Sequence, residues 1–454
     1  MWLTNSLRWR SGPVAFADSG DQAVNLPDGN SSFNAHLNTG MSYDPTTSLL
    51  IDDFDTFLRY AANKNPLPLT GTGDLKAADL WALNDRVNYK ASLHVTPRSR
   101  QADYPLLGFL FQIATSSRLL LVTFGKTNAL VPDASRVEQY HGLTLEEKYV
   151  FLLETAWCYV DWGTLDNDGR SGEGATWFWS AGNQLLKNPV GTPVTLFERG
   201  WAQEDNPAMI HLSGMANAYI RAGHWFGWYD VREVKQEKRD RFALQLDQVT
   251  LNHWGKQCLT LLMHQRPFAI WNQHADRYFF LSDDEQPNQP INLNTFANTF
   301  QKEFNEPDLV SLYPINPNPQ TGEIWLRVEL PQHKVSRTIA LPVSGTLDDL
   351  HHQIQGAFGF DNDHLYGFYL NLRDPYQGKQ YFDPRTSPGW ADGYPSDATT
   401  IASLNLYEGQ RLLYVFDFGD NWQFLVTVFR HLPNEKNAKA RVVEKVGKAP
   451  KQYN

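Results

Sequence analysis

The sequence predicts an α+β protein in which a mostly helical domain precedes a smaller domain of mixed strands and helix. Apolar residues recur at helical spacing through most of the first part of the chain. A run rich in Pro and Asn then interrupts the pattern, and the residues beyond it alternate as half-buried strands do. A length of 454 residues is also long for one hydrophobic core. We therefore predict a flexible leader (1–40), a helical domain (41–300), a linker (301–319) and an α+β domain (320–454).

The leader is rich in Asn, Ser, Gly and Asp and has no periodic apolar pattern. The first apolar run begins at Leu49, shortly after Met41. We expect Met41 to mark the start of the folded body. Translation from Met1 and translation from Met41 are both open on this evidence.

Two helix starts stand out in the helical domain. Leu80, Leu83 and Val87 recur at helical spacing, and Asp74 is predicted to cap their helix. Thr144 and Glu147 have the spacing of a capping box, in which each side chain accepts a hydrogen bond from the other residue's backbone N–H. The helix that follows is apolar nearly all round and is predicted to be buried.

A weak internal repeat involves two β-like runs. The run Leu119–Thr123 leads into Gly125, and the run Leu244–Thr250 leads into Gly255. An apolar helical stretch precedes each run, and the final Thr of each is predicted to cap a following helix. The order helix, strand, capped helix resembles part of a winged-helix scheme. A tandem of winged-helix-like units and an irregular helical domain are both open.

The α+β domain is predicted from strand and cap signals. Two strands precede a helix that Thr346 and Asp349 open as a capping box and that Gly359 ends. A strand, a long loop rich in Pro, Gly and Asp, and a final hairpin follow. This order is compatible with a β-grasp-like sheet carrying one helix. The predicted elements are strands Ile324–Leu330, Lys334–Leu341 and Leu365–Leu372, the loop Arg373–Thr400, and hairpin strands Arg411–Phe416 and Trp422–Phe429.

Composition excludes several classes of protein. A formal net charge of −10 argues against broad attraction to nucleic acid or anionic lipid. Cys158 and Cys258 lie far apart without a CxxC pair, which excludes a disulfide framework and a cysteine zinc site. No apolar stretch is long enough for a membrane span, and no signal peptide is evident, so a cytoplasmic protein without a membrane partner is expected. The HExxH, GxxxxGK[ST] and GxSxG motifs do not occur.

The candidate chemistry lies in the hairpin turn 417–421. Asp417 and Asp420 could be turn-forming side chains, which bond local backbone N–H groups. Carboxylates at these positions could equally be metal ligands or an acid/base pair. Asp363 and His364 follow the Thr346 helix and are the best additional candidates for a catalytic or metal site. His351 shares a helical stripe with apolar residues and is predicted to be a buried, hydrogen-bonded imidazole.

The residues from Arg430 to Lys451 are locally basic. Seven basic residues stand against two acidic ones, a local charge of +5. This run could contact phosphate, but a charged run is usually a solvated surface. Nucleic acid is therefore a possible partner that the net charge disfavours.

Three segments resemble the plasmid pRiA4b ORF-3-like family, over about residues 310–454. They are the helix segment Leu350–Gln355, the segment Asp363–Phe368, and the run Tyr414–Trp422 with its Asp-Phe-Gly-Asp core. Phe416 replaces the family's usual Tyr, and Phe424 stands where a His often follows the Trp, which weakens any metal site carried over. The resemblance implies a prokaryotic, mobile-element-associated protein without an established reaction. The motif residues are His351, Gln355, His364, Phe368, Tyr414, Asp417, Gly419, Asp420 and Trp422.

Three functions are compatible with the sequence. The leading hypothesis is a non-catalytic interaction or regulatory module with a protein partner and no cofactor. The first alternative is a metal-dependent enzyme that uses Asp417, Asp420 and His364, with Asp363 as a further catalytic candidate. The second alternative is nucleic-acid binding through the winged-helix-like units. The sequence does not decide whether the protein is an enzyme.

Overall fold

The described part of the chain builds two hydrophobic cores, one from residues between Leu50 and Tyr313 and one from residues between Ile324 and Val428. All of it belongs to one compact unit. The predicted leader and Met41 lie outside the described residues. The structure is a computed structural model that describes residues 49–454 except 92–94, 125–126, 163–164, 166–181, 196, 199–200, 203–216, 234–245, 266–295, 305–307, 314, 316–319, 371, 373–379, 387–392, 436–437 and 454.

Helices dominate the first part, as the apolar periodicity predicts. None of the helices in the described ranges is long and apolar enough to cross a membrane. A short helix at 182–187 accompanies the longer ones. The others are α1 (Leu49–Asn63), α2 (Ala77–Asn84), α3 (Pro105–Ser116), α4 (Ala134–His141), α5 (Leu145–Cys158), α6 (Asn217–Trp225), α7 (His253–Thr260) and α8 (Phe296–Phe304).

Two three-stranded sheets accompany these helices and share one arrangement. In each, a short early strand pairs antiparallel with the second strand of a later hairpin, giving the orders β1-β3-β2 and β4-β8-β7. One helix precedes each hairpin and another follows it. The internal repeat is therefore helix, hairpin, helix. The strands are β1 (Leu67–Pro68), β2 (Leu120–Thr123), β3 (Ala129–Pro132), β4 (Pro193–Thr195), β5 (Phe197–Glu198), β6 (Trp201–Ala202), β7 (Tyr229–Glu233) and β8 (Leu246–Leu251).

The predicted caps of this part have mixed outcomes. The Thr144–Glu147 capping box is confirmed, with both reciprocal bonds formed. The predicted Asp74 cap is wrong, because α2 begins after Lys76, which makes no side-chain cap bond. The predicted Thr123 cap is also wrong, because β2 continues toward β3 as a hairpin instead of entering a helix. The helix predicted after Thr250 exists, but Asn252 caps it.

An eight-stranded sheet forms the second part, in the order β13-β12-β11-β14-β15-β9-β10-β16. The pairs are antiparallel except β12 with β13. The α+β fold class is thus confirmed, while the β-grasp and winged-helix details stay predictions. The strands are β9 (Glu323–Leu330), β10 (Val335–Pro342), β11 (Tyr366–Tyr369), β12 (Gln380–Phe382), β13 (Tyr394–Pro395), β14 (Arg411–Phe416), β15 (Trp422–Leu432) and β16 (Arg441–Val446).

A short helix, α10 (Ile401–Leu404), follows β13. One amphipathic helix, α9 (Leu347–Phe358), contributes its apolar face to the second core. The capping box of α9 between Thr346 and Asp349 is confirmed, and so is the end of α9 at Gly359, which has a φ of 73°. A left-handed residue is needed there, and glycine adopts that conformation at least cost. The predicted loop 373–400 is partly wrong, because β12 and β13 form within it as strands at one end of the sheet.

The predicted linker lies against the first core. Leu309 and Tyr313 are buried there, and the Arg136 guanidinium donates to the carbonyl of Leu312. The domain boundaries themselves stay predictions.

The hairpin β2–β3 also contacts the loop before β14. The Phe124 N–H donates to the Gly409 carbonyl at 3.1 Å, and the Tyr407 hydroxyl donates to the Val122 carbonyl at 3.4 Å.

Candidate functional site

Asp417 organises the turn between β14 and β15. Its Oδ1 accepts the N–H groups of Gly419 at 2.9 Å and Asp420 at 3.2 Å, and its own N–H donates to the Leu365 carbonyl at 3.0 Å. Asp417 and Asn421 both have positive φ, near 54° and 53°. Asp and Asn tolerate this conformation better than most residues. A Cβ at position 419 would lie 3.2 Å from Asp417 Oδ1, so glycine allows the close turn. Asp417 therefore has a structural role, and its side chain is buried.

Three of the four catalytic candidates converge beside this turn. His364 Nε2 lies 3.4 Å from Asp417 Oδ2 and 3.9 Å from Asp363 Oδ2. The fourth candidate, Asp420, is exposed on the turn, and its carboxylate contacts none of the other three in the described structure. Among the described residues, no group of three or more His, Cys, Asp and Glu side chains has an arrangement that could hold a metal ion.

A hydrogen-bonded chain lies in the core between α9 and β14. His351 Nδ1 is 2.7 Å from the Tyr414 hydroxyl, and its Nε2 is 2.9 Å from Asn362 Oδ1. Arg385 Nη2 donates to that same Oδ1 at 3.1 Å, which identifies it as the amide oxygen. His351 Nε2 must therefore carry the proton, and Nδ1 must accept from the Tyr414 O–H. Because the Arg385 guanidinium can only donate, it determines which atom donates in each hydrogen bond of this series.

Gln355 completes this chain by donating its Nε2 to the Tyr414 oxygen at 2.7 Å. Burial lowers the pKa of His351 to about 4, so the imidazole is neutral at neutral pH. Burial likewise raises the pKa of Tyr414 well above its usual value. The Tyr366 ring stacks on the His351 ring at 3.8 Å. These groups are held neutral inside the core.

Arg385 connects these hydrogen-bonded side chains to the surface loop 361–364. Its Nε donates to both carboxylate oxygens of the buried Asp383, and this pairing raises the pKa of Arg385. Its Nη2 also donates to the His364 carbonyl at 2.6 Å. A single guanidinium thus fixes the backbone at His364 and the amide of Asn362. Arg385 thus holds the loop that presents Asp363 and His364 at two positions.

The segment 447–453 lies along the other side of the loop. Tyr453 donates its hydroxyl to Asp363 Oδ2 at 2.5 Å, which lowers the pKa of Asp363 and raises that of Tyr453 to about 12. The segment and the hairpin turn form two walls of an open groove of about 860 Å³. Asp420, Trp422, His333, Lys451 and Tyr453 line this groove. The motif turn borders this groove through Asp420, Asn421 and Trp422.

The second part of the chain is similar to known proteins. Residues 323–452 match the family model of the plasmid pRiA4b ORF-3-like proteins. The uncharacterized protein y4hQ of Sinorhizobium fredii (strain NBRC 101917 / NGR234) is 29% identical over 119 residues, which cover 26% of this chain and 57% of that protein. The chain thus matches little more than half the length of this curated relative. A protein of unknown function from Methanosarcina mazei Go1, MM3350, is 22% identical with a TM-score of 0.23, covering 29% of this chain and 72% of its own.

The remaining aromatic motif residues of the matched segment lie in or against the second core. Phe368 packs 4.7 Å from the Tyr414 ring. Phe424, which stands where the family often has His, is fully buried with its ring 5.0 Å from Phe358. Trp422 packs edge-on at 5.0 Å from Phe360 while bordering the groove. Position 424 faces the core instead of the groove, so Phe424 belongs to the packing.

Sequence reasoning missed Arg385, Asp383 and Tyr366 as parts of the site. Arg385 and Asp383 lie within the predicted loop 373–400, outside the motif segments. The spacing Asp383-x-Arg385 was the available signal, because a carboxylate and a guanidinium two residues apart can pair across a tight turn. Tyr366 falls within a predicted strand, and its stacking on His351 depends on the tertiary fold.

Proposed function

We propose that the protein is a non-catalytic interaction module of a prokaryotic, mobile-element-associated system. One observation carries the proposal: the polar motif residues bond to one another and to the backbone inside the protein. His351, Gln355 and Tyr414 form a buried hydrogen-bonded chain, and one carboxylate oxygen of Asp417 accepts from its own turn. Groups used in this way stabilise a fold, since an unpaired buried polar group is costly. The mobile-element association rests on the family name alone.

Nucleic-acid binding through the helical part has weaker support. The order α1, β1, α2, α3, β2, β3, with β1 paired to β3, supports a winged-helix-like unit. A recognition helix must present polar or basic side chains to the edges of the bases. However, α3 contains no Lys or Arg, and eight of its residues, from Leu106 to Ala114, are buried. The hairpin that would act as a wing contacts Tyr407 and Gly409 instead. A role in protein packing fits both elements better.

A metal-dependent enzyme is the second candidate, and the approach of His364 to Asp417 favours it. In this reading Asp417, Asp420 and His364 would hold a divalent ion, with Asp363 as the further carboxylate. Against it, Asp420 contacts none of the other three, and Asp363 is engaged by Tyr453. Oxygen and imidazole ligands in the right geometry would otherwise suit Zn²⁺ or Mn²⁺.

Calorimetric titration with Zn²⁺, Mn²⁺ and Mg²⁺ separates the two functions. For an interaction module we expect no stoichiometric binding at micromolar protein concentration. The matched variant is Asp417→Asn with Asp420→Asn, which changes two carboxylates and little volume. Tight one-to-one binding that disappears in the folded double variant would support the enzyme and overturn the interaction module.

A further inference from the structure

The segment 447–453 is seated on the loop 361–364 as a peptide ligand would be. The Gln452 side-chain amide forms a reciprocal pair with the backbone of Asp361: its Oε1 accepts the Asp361 N–H at 2.5 Å, and its Nε2 lies 3.3 Å from the Asp361 carbonyl. The same Nε2 donates to Asp363 Oδ1 at 3.0 Å. Tyr453 donates to the other oxygen, Oδ2. Both oxygens of Asp363 are therefore occupied by adjacent residues of one segment.

This pattern specifies what the loop recognises. The loop offers a carboxylate that can accept from two separate donors, beside a backbone N–H and C=O. These groups are complementary to a side-chain amide followed directly by a phenol. Arg385 holds the loop by donating to the His364 carbonyl, so the acceptors of the loop are preorganised. Gln452 is buried in this seat, whereas Tyr453 stays 43% exposed. The second residue can thus be approached from solvent while the first anchors the segment.

The segment leaves the sheet at a turn. It begins at Gly447, which has a φ of 72°. Arg337 Nη1 donates to the Gly447 carbonyl at 3.2 Å, which holds this end of the segment on the sheet. Beyond this glycine, Ala449 packs partly against the second core, and Lys448 and Lys451 are exposed. The Gln452 and Tyr453 bonds attach the other end of the segment to the loop 361–364.

We propose that the loop 361–364 is a peptide-recognition site that the chain's own segment 447–453 occupies as an autoinhibitory strap. The partner is a polypeptide that presents a Gln-Tyr pair in an extended conformation, and it binds when the strap is displaced. The inference rests on the proposed interaction function and names the class of its partner. A tethered segment has an effective concentration on the order of millimolar, so it masks the site from a free peptide of similar intrinsic affinity.

The test uses the full chain and a fluorescein-labelled peptide with the sequence of Lys448–Tyr453. In the strap-release variant Gln452→Ala with Tyr453→Phe, we expect the peptide to bind at least tenfold more tightly than to the unaltered chain, by fluorescence anisotropy. Tyr453→Phe alone keeps the Gln452 bonds and should give an intermediate gain in peptide affinity. This single variant still tests the proposal if the double variant does not fold. A peptide carrying Ala and Phe in place of Gln and Tyr should not bind.

A matched pair of charge changes locates the site. Adding Asp363→Asn to the release variant removes the carboxylate and should weaken peptide binding tenfold or more. Adding Asp361→Asn makes the same chemical change at a residue that contributes only its backbone, and binding should persist. Equal peptide affinity in the unaltered and release chains, or equal loss in both Asn variants, overturns the strap. Neither result bears on the metal titration, which tests the interaction function separately.

Discussion

The Tyr414 hydroxyl lies 2.7 Å from His351 Nδ1, although 63 residues separate the two in the chain. It donates to this imidazole nitrogen and accepts from Gln355 at the same time. Two of the motif residues thus bond to each other in the core. The hydroxyl and the imidazole satisfy each other's hydrogen-bonding capacity inside the protein.

Tyr414→Phe should destabilise the protein by roughly 1–3 kcal/mol, because it leaves His351 Nδ1 and the Gln355 amide buried without a partner. Chemical denaturation followed by circular dichroism measures the change. Tyr381→Phe is the control: Tyr381 is also buried in the second core, but its hydroxyl bonds to no other described residue. A similar loss in both variants would contradict a special role for the Tyr414 hydroxyl.

Stability should fall between neutral and mildly acid pH because of His351. Its folded pKa is lowered to about 4, whereas an unfolded imidazole takes up a proton near 6.5. The unfolded state therefore binds more protons in this window, and stability is lost as the pH falls through it. The expected loss is about 2 kcal/mol between pH 7 and pH 5.

Denaturation curves at several pH values test this dependence on His351. His351→Gln should remove most of the slope. His253→Gln, at an exposed position in α7, should leave it unchanged. A slope that survives in the His351 variant would assign the effect to another group.

Asp417 and Asp420 should differ in their effect on stability. Asp417→Ala removes the acceptor of two turn N–H groups and should cost roughly 1.5–3 kcal/mol. Asp420→Ala alters an exposed side chain and should stay within about 0.5 kcal/mol. Thermal unfolding of both variants gives the comparison. Equal destabilisation would mean that the Asp420 carboxylate supports the turn as well.

Gly409 should be intolerant of a side chain at the contact between the β2–β3 hairpin and the loop before β14. Its φ is 86°, and a Cβ would lie 3.1 Å from Thr123 Cβ. Gly409→Ala should therefore destabilise by about 1 kcal/mol or more. Gly356→Ala, in α9 with open space around it, should stabilise by up to about 1 kcal/mol. Opposite signs in calorimetric unfolding are the expected result.

Local signals in the sequence were sufficient for several helix ends. The capping boxes at Thr144 and Thr346 and the stop at Gly359 depend on residues within one turn, so spacing alone identifies them. The cap predicted at Asp74 was wrong because its carboxylate accepts the Thr72 hydroxyl in a local turn before α2. The cap predicted at Thr123 was wrong for a tertiary reason. Thr123 lies in a hairpin whose second strand also pairs with β1, and this pairing outweighs the capping preference.

The candidate site was predictable only in part. The approach of Asp363 and His364 to Asp417 follows from their motif, but the separation of Asp420 from them depends on how the turn is built. Arg385 and the segment carrying Gln452 reach the loop 361–364 from distant parts of the chain. Side chains with such remote partners give no periodic or spacing signal.

Nuclear magnetic resonance titration of the His351 imidazole tests the structural role of the motif most directly. With ¹⁵N-labelled histidine, we expect a single neutral tautomer protonated at Nε2 that persists down to pH 5 and titrates with a pKa of about 4. An imidazole that titrates near pH 6.5, or that exchanges between tautomers, would contradict the account, because His351 would then be available for proton transfer.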